Sequence, residues 1–285
     1  MTAIDVYQDF LLAKELQGVS RSTLDRYHYS IERFLTELGT DDITAITTVD
    51  IRRWLGAKTY SEITRSIDIK NLRTFWKWVQ LEGYRNDNPM LRIPTPKVPE
   101  AAPKALSNEE VAKLVGVAKR SKRDLAVVFL LLDSAIRASE LSNLQRTDVN
   151  LDSGVIQIHN GKGGKSRQAF ISPLTARAIR RYVSNRKDKD PALFLSQRGE
   201  PLNRNSLRLI MYRLCDRAGI EHHGPHSLRH TAATSLARQG IDAWSLQQLL
   251  GHADNRVSLR YIWLTGRDVQ EAHRRYSPVN AVIGG

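Results

Sequence analysis

Arginine and histidine side chains that can bind phosphate occur in the second half of this chain, close to predicted helix boundaries. Arg137 follows an apolar run in SAIRASELSNL, and GPHSLRHTAAT places His226 and Arg229 one turn apart. Gly224 and Pro225 precede that pair, and the helical spacing that follows predicts a helix start there. Because helix starts carry unpaired N–H groups and the positive end of the dipole, they attract anions. The pattern therefore predicts a site for a negatively charged group.

The same residue types suit the charge that phosphoryl transfer develops on the non-bridging oxygens. Arginine has a planar fork that donates to two oxygens and keeps its charge, which fits Arg137 and Arg229. His226 and His252 could add hydrogen-bond donors or carry protons. Taken alone, Arg137 could instead form a purely structural salt bridge with Glu140, one turn on, because an unpaired buried cation is expensive.

A lysine and a tyrosine complete this chemistry. HNGKGGKSRQ predicts a flexible basic hairpin, in which Lys162 could protonate a departing oxygen and Lys165 and Arg167 are candidate DNA contacts. Tyr261 could attack phosphorus, although ionising an unperturbed tyrosine at pH 7 costs about 4 kcal/mol unless cations favour the phenolate. Taken alone, the basic hairpin could be a solvated turn, and Tyr261 could be a packing residue. In combination the pieces indicate a phosphodiester transferase that needs no metal.

The overall charge favours a polyanionic partner. The 285 residues include 43 Lys and Arg against 30 Asp and Glu, a net charge of +13, which favours nucleic acid over an acidic protein or a membrane surface. No run of about eighteen apolar residues predicts a membrane span, and the amino end lacks the cationic leader of a secretory signal. Cys215, the sole cysteine, excludes an internal disulfide and predicts a cytoplasmic location.

The first domain, residues 1–92, is predicted to be a bundle of short helices. The spacing of apolar residues predicts a second helix capped by Ser20 and ended by Gly39, and a long fourth helix ending at Gly83. One side of the fourth helix carries a basic stripe, which could face DNA or simply solvent. The stripe consists of Arg65, Lys70, Arg73 and Lys77.

A proline-rich linker, residues 93–106, separates this bundle from a catalytic domain, residues 107–265. The second domain opens with a capping box at Ser107 and Glu110, and LAVVFLLLDSAI predicts its core helix. VIQIHN and QAFIS alternate like strands around the basic hairpin tip, and ALFLS is predicted as one more strand. Most of the remaining segments are predicted to be helical. The predicted fold class is therefore mainly α with a small antiparallel β-sheet (α+β).

Four segments resemble the tyrosine recombinases, the family of phage integrases and Xer-type recombinases. They are AIRASELSNLQRTDV, GKGGKSR, HSLRHTAATSLARQG and LLGHADNRVSLRY, in the order that the family shows. The resemblance implies a SAM-like helical core-binding domain and a catalytic domain that clamp double-stranded DNA, with four protomers joining two sites. It also implies strand cleavage through a 3′-phosphotyrosine and religation, without metal, ATP or another cofactor. Accessory proteins or a partner recombinase are compatible with it.

Roles for individual residues follow from the same resemblance. By position it implies a phosphate clamp of Arg137 and Arg229, a general acid at Lys162, an acid or base at His226, a phosphate donor at His252, a nucleophile at Tyr261 and support from Glu140. Lys165 is the rival of Lys162 within the hairpin. Trp263 departs from the family pattern, in which a histidine often follows the tyrosine. The tail, residues 266–285, could fray or could dock on a neighbouring protomer.

Other functions are open at the level of sequence. A type IB topoisomerase would use the same chemistry to relax supercoils, and a DNA-binding accessory protein would not use it at all. A metal-dependent transposase needs clustered carboxylates, and Asp133, Glu140 and Asp148 lie close in sequence. EHHGPH offers histidines, but it lacks further ligands at the spacing of a zinc site. Dimer resolution, phage integration, plasmid maintenance and transposon movement are equally compatible with these motifs.

Overall fold

The computed structural model describes residues 2–96, 105–159, 166–251 and 261, and these residues are mostly helical. They belong to two units, Met1–Ala101 and Ala102–Gly285. A small antiparallel sheet lies in the second unit, so the predicted fold class, mainly α with a small sheet, is confirmed. Within the described residues, no helix is both long enough and apolar enough to cross a bilayer.

Aromatic side chains form the centre of the first unit. Its helices are α1 (Ala3–Leu16), α2 (Arg21–Tyr27), α3 (Arg33–Leu38), α4 (Thr48–Gly56) and α5 (Glu62–Leu81). Capping boxes at Thr2 and Thr47 start α1 and α4, because each hydroxyl accepts from a backbone N–H that the helix leaves unpaired. The buried rings of Phe10 in α1 and Phe75 in α5 meet edge to face, with centroids 5.4 Å apart, and join these two helices.

A π-helical turn, His28–Glu32, connects α2 to α3, so the second predicted helix is continuous but not regular. It starts after Ser20 and ends at Gly39, as the spacing predicts. The predicted cap is wrong in detail, because the Ser20 hydroxyl makes no bond to the helix start and contacts the Thr23 hydroxyl instead. The wider turn buries Ser30 against α5.

Asp68 of α5 is the buried charge that links this turn to its surroundings. It is 1% exposed, and its carboxylate accepts hydrogen bonds from Ser30 (2.7 Å), Arg33 (3.1 Å) and Tyr60 (2.5 Å). The Arg33 guanidinium also lies over the ring of Trp54, 5.1 Å from its centroid. A buried carboxylate is tolerated when it is paired and hydrogen-bonded, and these donors meet that condition.

The second unit packs around an apolar helix, the predicted core helix of this domain. Its helices are α6 (Asn108–Ala118), α7 (Lys122–Ser134), α8 (Ala138–Asn143), α9 (Pro173–Val183), α10 (Arg204–Ala218), α11 (Pro225–Gln239) and α12 (Ala243–Leu250). The predicted capping box of Ser107 and Glu110 starts α6. The core helix is α7, whose buried side chains include Val127, Leu130 and Leu131.

The sheet supports the basic hairpin. Within the described residues it consists of β1 (Val149–Asn150), β2 (Val155–Ile158) and β3 (Arg167–Phe170), in that order and antiparallel. The strands β2 and β3 are those of the predicted hairpin, and Ile158 lies opposite Arg167 in the pair nearest the connection between them. The prediction of a strand at ALFLS is wrong, because this segment forms only two isolated bridges, from Ala192 to Gln145 and from Leu195 to Pro201.

We expect Asp68→Asn to lower the free energy of unfolding by about 3 kcal/mol, because it leaves the half-buried cation of Arg33 without its charged partner. Urea denaturation followed by tryptophan fluorescence measures this difference. The control is Asp25→Asn, since Asp25 pairs with Arg21 at 3.5 Å on the surface and should contribute about 0.5 kcal/mol or less. Equal losses in the two variants would contradict the importance of the Asp68 network.

Candidate active site

The carboxyl end of α12 is held by arginine side chains. The hydrogen bonds run from Arg167 to the Leu249 carbonyl (2.8 Å), from Arg229 to the Leu250 carbonyl (2.5 Å) and from Arg137 to the Gly251 carbonyl (2.9 Å). A helix leaves its last carbonyl groups without internal partners, and its carboxyl end carries partial negative charge. Because these arginines come from β3, α11 and the residue before α8, elements distant in sequence meet at one helix end. Arg137, Arg167 and Arg229 together form the arginine cluster.

Glu140 binds two of these arginines at once. One carboxylate oxygen accepts from the Arg137 guanidinium (2.8 Å), and the other accepts from the Arg137 backbone N–H (2.8 Å) and from Arg167 (2.7 Å). Burial alone raises the pKa of Glu140, but the backbone N–H of Arg137 and the charge of Arg167 outweigh burial and hold the pKa below its usual range. The salt bridge that the sequence allows between Arg137 and Glu140 is therefore present within the arginine cluster.

Arg229 is buried, with 4% of the residue exposed. Besides the end of α12, its guanidinium binds the Ala135 carbonyl at 2.5 Å. Ala135 caps α7 with a φ of 51°, a left-handed conformation that is uncommon for alanine. Burial, followed by the charge of Arg137, lowers the pKa of Arg229 to about 10. An incoming anion would compensate this buried positive charge.

A cleft of about 830 Å³ opens beside Arg137 and the start of α11. Gly224 and His226 line it, together with Arg204 and Arg208 of α10. The last two arginines are exposed, lie one turn apart and were not predicted. Their spacing of four residues near a helix start is the signal that could have indicated them. The cleft is therefore lined by cations from two parts of the second unit, Arg137 before α8 and Arg204 and Arg208 of α10.

His226 lies in the first turn of α11, where its side chain stays accessible to solvent. Partial removal from water lowers the pKa of His226, and the positive charges of Arg229, Arg137 and Arg204 lower it further. A lowered pKa keeps the imidazole neutral at pH 7 and able to accept a proton. The structure thus places a proton acceptor at the cleft, next to the arginine cluster.

Tyr261 is buried beside His230, a residue that was not predicted. Nδ1 of His230 is hydrogen-bonded to the Tyr261 hydroxyl, and the ring centroids lie 5.8 Å apart. The tyrosine, 3% exposed, belongs to the apolar cluster that includes Ala233 and Leu250. His230 lies four residues after His226 on the same side of α11, and this spacing in HSLRH could have indicated it.

Several predicted residues lie outside the described part of the chain, namely Lys162, Lys165, His252, Trp263 and the tail 266–285. Arg167 was predicted as a DNA contact in the hairpin, but its guanidinium binds Glu140 and the end of α12, and its side chain is 14% exposed. Burial leaves little of this arginine for a surface contact. Its position makes Arg167 a member of the arginine cluster at the end of α12.

The basic stripe on α5 divides into two kinds of residue. Arg73 donates to the Ile93 carbonyl (2.7 Å), and Arg65 donates to a neighbouring backbone carbonyl (3.2 Å). Lys70 and Lys77 are exposed and, together with Arg73, line a groove of about 680 Å³. The lysines are therefore accessible to an external anion, whereas the two arginines also bind backbone carbonyls of the first unit.

The carboxylates and histidines that the sequence offers as metal ligands lie in separate environments. Asp133 accepts from the Ser172 backbone N–H (2.6 Å), and Asp148 accepts from the Gln145 backbone N–H (2.8 Å), while Glu140 binds arginines. In EHHGPH, the first histidine is exposed and stacks on a tyrosine, whereas the second is buried. Among the described residues, no group of three or more His, Cys, Asp or Glu side chains could hold a metal ion.

Residues 104–266 match the model of the phage integrase family. Tyrosine recombinase XerA of Pyrococcus furiosus is 34% identical over 285 residues, which cover 99% of this chain and 97% of that protein. Tyrosine recombinase XerC of Oceanobacillus iheyensis is 30% identical, with 96% of this chain and 95% of that protein covered. The similarity to these proteins therefore extends over both units.

Solved structures share the fold. The crystal structure of XerA recombinase aligns with a TM-score of 0.56 at 27% identity, over 96% of this chain and 99% of that one. The Tn1549 transposon integrase in complex with a circular intermediate DNA aligns with a TM-score of 0.76 at 20% identity, over 95% and 99% of the two chains. At 20% identity, the similarity to the Tn1549 integrase shows the fold alone.

Gly251 tests the contact between α12 and the arginine cluster. A Cβ atom at Gly251 would lie 2.5 Å from Nε of Arg167, whereas one at Gly219 would meet no atom within 4 Å among the described residues. Both glycines end helices with similar positive φ values, 59° and 63°, so alanine costs roughly 1 kcal/mol of backbone strain at each. We expect Gly251→Ala to lose about 2 kcal/mol more than Gly219→Ala in urea denaturation, because Arg167 must move. Equal losses would contradict the contact.

The ion pairs of Glu140 make a prediction about pH. Because its folded-state pKa lies below the usual value, its contribution is present above the unfolded pKa and is lost as pH falls through the folded pKa. We expect Glu140→Gln to lower the free energy of unfolding by about 3 kcal/mol at pH 7, and the difference from wild type to shrink below about pH 4. Urea denaturation at several pH values measures it. Asp152→Asn, at an exposed pair with Arg180, is the control, and a pH-independent loss would contradict the assignment.

Proposed function

The chain belongs to the phage integrase family of tyrosine recombinases, and we propose that it cuts and rejoins DNA at specific sites through a covalent bond between Tyr261 and phosphate. The observation that carries the proposal is the arginine cluster at the end of α12. It brings Arg137 and Arg229 together, and the residue after Arg229, His230, binds the Tyr261 hydroxyl. Cations for a phosphate and a nucleophile are thus neighbours.

Arg137 and Arg229 are the proposed phosphate clamp. A guanidinium has five N–H donors, and within the described residues both terminal nitrogens of Arg229 donate, one to the Ala135 carbonyl and one to the Leu250 carbonyl. The protein carbonyls fix the orientation of the fork and leave further N–H groups for non-bridging oxygens. Preorganised donors of this kind stabilise the charge of the transition state without reorganising during the reaction.

The proposed reaction begins with attack of the Tyr261 hydroxyl on phosphorus. The bond from the tyrosine oxygen to phosphorus forms as the bond to the 5′ oxygen breaks, which leaves a 3′-phosphotyrosine and a free 5′ hydroxyl. Lys162 is the proposed donor of a proton to that oxygen, with Lys165 as its rival. His226, kept neutral by its lowered pKa, exchanges protons at the phosphate, and His252 adds a donor. Attack by the 5′ hydroxyl of another strand then restores the tyrosine.

We favour strand exchange over relaxation by a type IB topoisomerase and over DNA binding without catalysis. The relatives that match nearly the whole chain are named recombinases. A recombinase joins strands at defined sites, whereas a relaxing enzyme changes the supercoiling of any circle. An accessory protein would not need the Tyr261 hydroxyl to be hydrogen-bonded to the His230 imidazole, next to the half-buried Arg137 and the buried Arg229.

Double-stranded DNA is the proposed partner. The net charge of +13 and the exposed Lys70 and Lys77 support it, and the Tn1549 integrase of the same fold was solved with DNA. Four copies are proposed in the active assembly, because exchange between two duplexes cuts four strands and each cut uses one Tyr261. The tail 266–285 is the proposed contact between copies. A cytoplasmic location is part of the same proposal and is supported by the unpaired thiol of Cys215.

Covalent trapping tests the function. End-labelled fragments of the native genome are incubated with the protein in EDTA, quenched with detergent and examined for DNA linked to protein, and sequencing the adducts locates the site. We expect an adduct with the wild-type chain and none with Tyr261→Phe, because phenylalanine keeps the packing and removes the nucleophile. Tyr212→Phe, at the tyrosine that stacks on His222, is the control and should form the adduct.

Each outcome of the trapping experiment has a definite meaning. An adduct that persists in Tyr261→Phe would show that another residue is the nucleophile. Failure of the wild-type chain on intact DNA and on nicked DNA, which prevents religation, would overturn the catalytic proposal in favour of DNA binding alone. Relaxation of supercoiled circles without joined products would favour the topoisomerase.

A further inference from the structure

His230 has no part in the roles described so far, although its Nδ1 is hydrogen-bonded to the hydroxyl of Tyr261. The two rings are inclined by 39°, with centroids 5.8 Å apart. Because Tyr261 is 3% exposed, bulk water has little access to its hydroxyl. We propose that His230 orients Tyr261 and accepts its proton during attack on phosphorus, an inference that rests on the proposed function.

The chemistry of the attack fixes the direction of this hydrogen bond. A phenol that attacks phosphorus must lose its proton, so the Tyr261 hydroxyl donates and Nδ1 of His230 accepts, which requires the tautomer with its proton on Nε2. An unperturbed phenol has a pKa roughly three to four units above that of an imidazole. Proton transfer therefore accompanies formation of the bond to phosphorus. The nearby charge of Arg229 favours the negative charge that develops on the tyrosine oxygen.

Atoms and charges balance in this step. The tyrosine oxygen bonds to phosphorus, the bond from phosphorus to the 5′ oxygen breaks, and the proton of Tyr261 moves to His230. The 5′ oxygen takes its proton from the general acid proposed at Lys162. During religation the His230 imidazolium returns the proton to the departing tyrosine oxygen, so the residue begins each cycle in the same state.

The two histidines of α11 divide the proton transfers. His226 and His230 lie four residues apart, with ring centroids separated by 6.0 Å and inclined by 37°. His226 lines the cleft, whereas His230 is half-buried against Tyr261. One imidazole therefore serves the phosphate and the other serves the nucleophile. Arg229, between them in sequence, anchors this part of α11 to the end of α12.

A substrate with sulfur in place of the 5′-bridging oxygen separates the nucleophile from the leaving group. A thiolate departs without protonation, so sulfur restores the rate of a variant that lacks the general acid and does not restore one that lacks the acceptor on Tyr261. The substrate is the site recovered by sequencing trapped adducts, synthesised with oxygen or with sulfur at the cleaved phosphate. The measurement is the single-turnover rate of adduct formation.

Two substitutions distinguish orientation from proton acceptance. His230→Ala removes both, whereas His230→Asn keeps an amide oxygen near the position of Nδ1 that can accept a hydrogen bond but not a proton. We expect cleavage to slow about 10³-fold in His230→Ala and about 10²-fold in His230→Asn, with neither restored by sulfur. Lys162→Ala should be restored by it. His222→Asn, at an exposed histidine, is the matched control and should cleave at the wild-type rate.

DNA affinity and thermal melting, measured beside the rates, establish whether each variant is folded. If His230→Ala does not fold, the near-isosteric His230→Asn decides the result. Recovery of either variant with sulfur would place His230 on the leaving group and overturn the inference. Wild-type rates in both variants with the oxygen substrate would overturn it as well. A wild-type chain that forms no adduct would overturn the proposed function, and the inference with it.

Discussion

The second unit depends on the partial negative charge at the carboxyl end of α12. Arg137, Arg167 and Arg229 would repel one another wherever they met, and they meet here because backbone carbonyls and one carboxylate, Glu140, offset that repulsion. The compensation is incomplete, since burial and, after it, the charge of Arg137 lower the pKa of Arg229 to about 10. At 1.36 kcal/mol per pKa unit, the remaining penalty is on the order of 3 kcal/mol. A recombinase that carries this penalty before DNA arrives can recover it when a phosphate enters.

Much of the fold could be predicted from the sequence, because local physical rules fix it. The capping box of Ser107 with Glu110 and the alternating strands around the basic hairpin lead directly to α6 and to the pair β2 and β3. The π-helical turn at His28–Glu32 was not predictable in this way. In that turn Ser30 donates a hydrogen bond to the distant Asp68, and a window of local spacing holds no information on that partner.

The candidate site was predicted in its residue types more than in its contacts. Arg65, Arg73 and Arg167 are candidate DNA contacts because they are basic, and in the structure each also donates to a backbone carbonyl. Every residue has such a carbonyl, so residue type alone does not reveal the acceptor. His230 was missed for a related reason. Its partner Tyr261 lies thirty-one residues away, and only the fold brings the two rings together.

Because the arginines bind backbone carbonyls of α12, these contacts also determine which residues of α12 can be substituted. The carbonyl of residue 249 would accept from Arg167 whatever side chain stood there, and the side chain of Leu249 is only partly buried. Leu250 is constrained by the apolar core instead, and Gly251 by the lack of room for a Cβ atom. Neutral variation and engineering therefore have one open position, residue 249, followed by two constrained ones, 250 and 251. Surface properties near the active site can evolve at residue 249 while the arginine cluster stays intact.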